Sequence, residues 1–163
     1  MAEPIGFAAS IVTLAALAGQ SYEKLYNFQL KLRNAPADIR RLVAEARTLN
    51  TLLEELHKTI EETRNYHISP SLFALWVEKE KGLRDDLNDF GKFTEGLESA
   101  LERHSIGSAH AWARLKRILS EEKVLSYQRK FADHIRIVSF IELQLQGYYY
   151  ENKLPLQSPT KYF

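Results

Sequence analysis

Residues 37–60 read ADIRRLVAEARTLNTLLEELHKTI, and the spacing of their apolar side chains decides the fold. Ile39, Leu42, Ala46, Leu49, Leu53, Leu56 and Ile60 recur in alternating steps of three and four residues, which keeps them on one face of an α-helix. Val43 and Leu52 widen that stripe beyond two heptad positions, so it suits a bundle core better than a two-stranded seam. Arg40, Arg41, Arg47, Glu54, Glu55, Lys58, Glu61 and Glu62 take the other faces, and Glu54 with Lys58 forms a favourable i, i+4 pair. Asn34 is the expected N-cap of this helix, with Pro36 in its first turn.

The same periodicity extends in both directions. Upstream, Phe7, Ile11, Leu14, Ala18, Tyr22 and Leu25 form one stripe, while Gly6, Ala9, Thr13, Ala16 and Gln20 line the opposite side. With no charged side chain from Pro4 through Tyr22, this helix is apolar or small all round and is expected to be deeply buried. Downstream, Ser69-Pro70 reads as N-cap and first residue of a third helix, after a polar connection through Asn65, Tyr66 and His67. Trp76, Leu83, Leu87, Phe90, Leu97 and Leu101 mark its buried side, and Gly82, Gly91 and Gly96 predict a bend or break within 80–97. A loop over His104–Ser108 leads to a short helix carrying Trp112, Leu115 and Ile118. Ser120 then caps a last helix with Glu121 and Glu122 in its first turn and a stripe of Val124, Phe131, Ile135, Val138, Ile141, Leu145 and Tyr148. Gly147 predicts its end, giving a helical domain over 1–147 and a tail or linker over 148–163. The fold class is all-α, a bundle of four to six helices with a hydrophobic N-terminal helix and long helices 2 and 3.

The opening segment also has to be weighed as a targeting element. Ala16-Leu17-Ala18 resembles a cleavage site, but the only charged residue before the apolar run is Glu3 and the first Lys or Arg is Lys24, which is not the basic start of a signal peptide. As a helix, Ile5 to Ala18 is about 21 Å long, short of the ~30 Å hydrocarbon core.

At 163 residues the chain has the size of one domain with its own core. Its 22 Lys+Arg against 21 Asp+Glu leave no basic excess of the kind nucleic-acid binders carry, so nucleic acid is not an expected partner. The absence of cysteine removes disulfides, thiolate nucleophiles and thiolate metal sites together, which fits a cytoplasmic location. One local asymmetry remains. Residues 104–136 carry Arg114, Lys116, Arg117, Lys123, Arg129, Lys130 and Arg136 against Glu121, Glu122 and Asp133, whereas 76–103 is acidic. Two faces attracting one another within the bundle account for this; an alternative is that Arg117, Arg129 and Lys130 meet anionic lipid.

No catalytic constellation emerges. None of the seven glycines leads into Gly-Lys-Ser/Thr, so there is no phosphate-binding loop. The five histidines form no metal-ligand pair. His57 and Glu61 share a helix face, and Asp85, Asp86 and Asp89 lack the spacing of a calcium loop; both sets read as solvated. Ser10 and Thr13 have no base nearby and are expected to bond back to the helix. No enzyme activity, cofactor or metal is expected.

Three stretches together resemble the helical N-terminal domains of fungal NLR-like STAND receptors, the HeLo and HeLo-like group: MAEPIGFAASIVTLAALAGQ at the start, NAPADIRRLVAEARTLNTLLEEL from Asn34, and RLKRILSEEKVLSYQRKFADHIRIVSFIELQLQ from Arg114. The resemblance covers most of 1–147 and rests on pattern. It implies a cell-death or innate-immune signalling module, related to heterokaryon incompatibility, that acts as a homo-oligomer with a nucleotide-binding receptor domain in cis or trans. It also implies recruitment from the cytoplasm to the plasma membrane on activation. The membrane-engaging role falls on Ile5, Phe7, Ile11, Val12, Leu14 and Leu17, with Gly6, Ala9, Thr13 and Ala16 as a close-packing face. The alternative is an interaction adaptor whose N-terminal helix stays in the core. The reading leaves open an excised domain or a stand-alone protein activated by a partner.

Overall fold

A computed structural model of the chain describes residues 3–32, 34–63, 68–102 and 109–153. Five helices follow one another: α1 (Glu3–Lys31), α2 (Ala37–Glu62), α3 (Pro70–Glu102), α4 (Ala109–Ile118) and α5 (Glu121–Lys153). Among the described residues there is no strand. The four long helices form the bundle the periodicity predicts. α2 is central, packing against α1 on one side and α5 on the other; α3 packs mainly on α1, with smaller contacts to α4 and α5.

The α2 stripe is the reason. Ile39, Leu42, Val43, Ala46, Leu49, Leu53, Leu56 and Ile60 are all buried, and a stripe this wide can face two helices at once. α1 contributes Phe7, Ile11, Leu14, Ala18, Leu25 and Phe28 to the same core, and Tyr22 is half-buried. From α3 come Trp76, Leu83, Leu87, Phe90 and Leu97, and from α5 Val124, Phe131, Val138, Ile141 and Leu145. Aromatic rings close the α3–α5 seam. Phe90 stands edge-on to Phe131 with centroids 4.7 Å apart and to Tyr127 at 5.2 Å.

Four local expectations need correction. α3 is continuous from Pro70 to Glu102 despite Gly82, Gly91 and Gly96, because buried side chains along its whole length outweigh three glycines at ~1 kcal/mol each. α5 continues through Gly147 to Lys153, so the helix crosses the expected boundary; residues 154–163 lie outside those described. Pro36, not Asn34, is the cap residue of α2, with no side-chain hydrogen bond; its carbonyl accepts from the backbone N–H of Ile39 and of Arg40. The fourth concerns α1 and is taken up below. Other starts agree: α3 begins at Pro70, and Ser120 Oγ accepts from Lys123 N at 3.3 Å at the head of α5. The connections at 64–67 and 103–108 and the Trp112 side chain, expected in the core, lie outside what is described.

Candidate functional surface on the first helix

α1 has two unlike sides. Phe7, Ile11 and Leu14 are buried, and Leu17 is half-buried, as the stripe requires. Gly6, Ala9, Thr13, Ala16 and Gln20 are exposed, and so is Val12, at 48 %. The expectation of a deeply buried helix is therefore wrong. α1 packs on two neighbours, α2 and α3, and its small-residue side is the one turned away from both. Small side chains can cover either a protein backbone or nothing, and composition alone does not distinguish the two. The Ile5 side chain is not among those described.

Ring contacts and close approaches hold α1 in its groove. Phe7 meets Trp76 of α3 at 5.2 Å between centroids and Phe73 at 6.1 Å. A side chain added at Gly19 would put its Cβ 3.2 Å from Asn50 Oδ1 of α2, so α1 lies directly against the Asn50 side chain, whose end would shift by a few tenths of an ångström to admit it. Polar complementarity along these seams is sparse. Trp76 Nε1 and Asn50 Oδ1 are buried with no partner among the described residues, and so is Gln29 Oε1 of α1 itself. The exceptions are at the margins. Lys24 Nζ, half-buried, lies 3.2 Å from the exposed Glu95 of α3, and Thr13 Oγ1 donates back to the Ala9 carbonyl at 3.1 Å, as anticipated. Ser10 instead faces Glu80 of α3, and its hydroxyl does not bond back to the helix as expected. Burial pushes the Glu80 carboxyl up, but the Ser10 hydroxyl and the Arg84 guanidinium outweigh it and hold Glu80 below the usual carboxylate range.

The basic residues do not form one patch. Arg117, in the last turn of α4, and Arg129 of α5 are exposed. Lys130 is turned toward α3, its ammonium 2.7 Å from Asp86 and 6.0 Å from the centre of the Tyr127 ring. His134 Nε2 lies 2.7 Å from the other Asp86 oxygen. Lys130 is thus part of the internal attraction between the acidic and basic segments. Asp86 is correspondingly not a solvated acid, whereas Asp85 and Asp89 are exposed. Burial pushes the Asp86 carboxyl up, and the hydrogen bonds and charges of Lys130 and His134 more than reverse this, leaving it lowered.

A second polar node escaped the sequence reading. Glu142 sits on the inner side of α5 and accepts from Thr59 Oγ1 of α2 at 2.5 Å and from Gln146 Nε2 at 2.8 Å. An acid spaced four from Val138 and three from Leu145 was the available signal, since that spacing places it in the apolar stripe. Gln128 of α5 likewise donates to the Asp38 carbonyl at 3.0 Å, tying α5 to the head of α2. His57 and Glu61 lie 3.9 Å apart on the α2 surface, and no group of three potential metal ligands occurs among the described residues. Nor is any described helix long and apolar enough to cross a membrane.

Comparison with known proteins adds one finding. The family described as "Pigment biosynthesis cluster protein PigL N-terminal" matches residues 2–116, from the start of α1 into the last turn of α4. No curated protein and no solved structure matches the chain. With most of its length matched and the helices arranged as described, the chain belongs to the PigL N-terminal family, a member of the HeLo-like group of helical domains found in fungal proteins.

Proposed function

We propose that this domain is a non-enzymatic signalling module whose first helix leaves its groove on α2 and α3 when subunits gather, and then engages a membrane. The observation that carries this reading is the outer face of α1. Ala9, Val12, Thr13 and Ala16 are exposed on a helix that has no charged side chain from Pro4 through Tyr22. A helix satisfies its own backbone, so such a segment can exchange protein neighbours for lipid without uncovering polar groups. Seams held by apolar rings, with buried polar atoms left unpaired, lower the cost of that exchange. α1 is too short in its apolar part to span a bilayer alone, so several copies act together to carry that part into the hydrocarbon. In this reading the partners are further copies of the chain, an anionic membrane, and a nucleotide-binding receptor domain in cis or trans. The domain waits in the cytoplasm and moves to the plasma membrane.

The adaptor reading draws on the same face. Small residues exposed in the folded bundle accept a partner helix without any release of α1. Thr13→Glu separates the two when tested for lipid entry. The position is exposed, so the fold should be retained, whereas a charge near a bilayer centre costs roughly 2.5–3.5 kcal/mol on scales set with Asp, Lys and Arg. The membrane reading predicts a folded variant that no longer permeabilises vesicles when oligomerised. Undiminished permeabilisation would give the adaptor reading the lead.

A further inference from the structure

The outer face of α5 carries a second apolar stripe that no other described helix covers, and unlike α1 it lies wholly beyond the residues the family match covers. Phe140, Leu143, Gly147 and Tyr150 recur at steps of three, four and three, on the side of the helix opposite the buried Val138, Ile141 and Leu145. The three large side chains are exposed at 49, 65 and 65 %. From Ile137 through Tyr150 the only charged residue is Glu142, which is turned inward to Thr59. Apolar residues scattered singly on a surface are ordinary, but a heptad-spaced run of them without charge is the pattern of a helix seam.

We infer that this stripe is the contact surface for a second copy of the chain, with two α5 helices packed antiparallel about a two-fold axis near Leu143. The stripe is complementary to itself in size and in charge. Antiparallel pairing about that point sets Phe140 against the partner's Gly147, where none of the described residues lies within 4 Å of a Cβ position, so a large ring enters an open notch. The same register sets Arg136, at one end of the uncharged run and 3.6 Å from Asp133 of its own helix, against the partner's Glu151 at the other. A parallel pairing would oppose Arg136 to Arg136 of the partner subunit and leave both glycine notches facing each other. Each contact occurs twice, as an isologous interface demands. The seam from Arg136 to Glu151 is about 22 Å long at ~1.5 Å per residue, well short of the area of a tight complex, so the dimer is weak and concentration-dependent. The inference rests on α5 alone and requires neither a membrane nor the release of α1.

Sedimentation velocity on the full chain, without lipid, across a range from roughly micromolar to millimolar protein tests it. The expected result is a monomer–dimer equilibrium that Leu143→Glu shifts at least tenfold toward monomer, with an unchanged thermal midpoint at dilutions where the parent is monomeric, because the side chain is already exposed. Arg136→Glu and Glu151→Arg should each weaken the dimer, and the two together should restore it, as only the antiparallel register allows. A chain that stays monomeric throughout would overturn the inference, whatever else covers the stripe. So would a dimer indifferent to Leu143→Glu, or a double charge reversal that fails to restore what the single ones lose.

Discussion

Phe7 of α1 stands edge-on to the indole of Trp76 of α3, their ring centroids 5.2 Å apart and their planes at 68°. Both side chains are fully buried, and this pair is the main aromatic clasp between the first helix and the rest of the bundle. Phe7→Ala should cost roughly 3–5 kcal/mol if the cavity does not collapse. Hydrogen exchange is the informative measurement. Protection should fall most in α1, where the ring is lost, and least in α5, which does not pack substantially upon α1.

Leu49 lies in the stripe of α2 that faces both α1 and α5 and is almost wholly buried. Leu49→Asp places an unpaired charge there and should prevent folding altogether, a loss of more than about 4 kcal/mol. Circular dichroism is the check: a cooperative melt at the parent midpoint would show the core to be elsewhere.

Acid sensitivity should trace to Asp86. Its carboxyl is lowered in the folded domain relative to the ordinary 3.8, so the unfolded chain binds its proton first as pH falls. The stabilisation is therefore present above the ordinary value and is lost as pH descends toward the lowered folded value. Asp86→Asn should reduce stability at neutral pH and flatten the acid side of the stability profile. An acid limb of unchanged slope in the variant would assign it to other carboxylates.

Those elements read correctly from the sequence are the ones in which a single physical rule acts alone. The α2 stripe, the Ser69-Pro70 start of α3 and the Ser120 cap of α5 each follow from periodicity or from one local hydrogen bond. Errors arose where tertiary packing decides. Three glycines did not interrupt α3 because Leu83, Leu87, Phe90 and Leu97 anchor it throughout, and Gly147 did not end α5. The outward orientation of Ala9, Thr13 and Ala16 depends on how many helices surround α1, which its own residues do not encode. Lys130 was legible as basic but not as Asp86's partner, since that requires knowing which turns of α3 and α5 face each other.

The basic residues should separate in their behaviour. Arg117→Gln with Arg129→Gln leaves stability within about 0.5 kcal/mol, as both side chains are exposed. If they meet lipid, the pair should weaken binding to anionic vesicles and leave neutral ones unaffected. Lys130→Gln should instead lower the thermal midpoint by removing a partner of Asp86, with no selective effect on anionic vesicles. Selective loss of anionic binding by Lys130→Gln at an unchanged midpoint would place that residue at the lipid.

Release of α1 is the central claim, and a reversible lock tests it. A Cβ at Gly19 would lie 3.8 Å from Asn50 Cγ, and the chain has no cysteine of its own, so Gly19→Cys with Asn50→Cys joins α1 to α2 by a bond that a reductant opens. The measurement is dye leakage from anionic vesicles by the same oligomerised protein, oxidised and then reduced. The account predicts no leakage while the bond is intact and leakage on reduction, with the reduced protein matching the unmodified chain. Equal leakage in both states, or none in either, would contradict it.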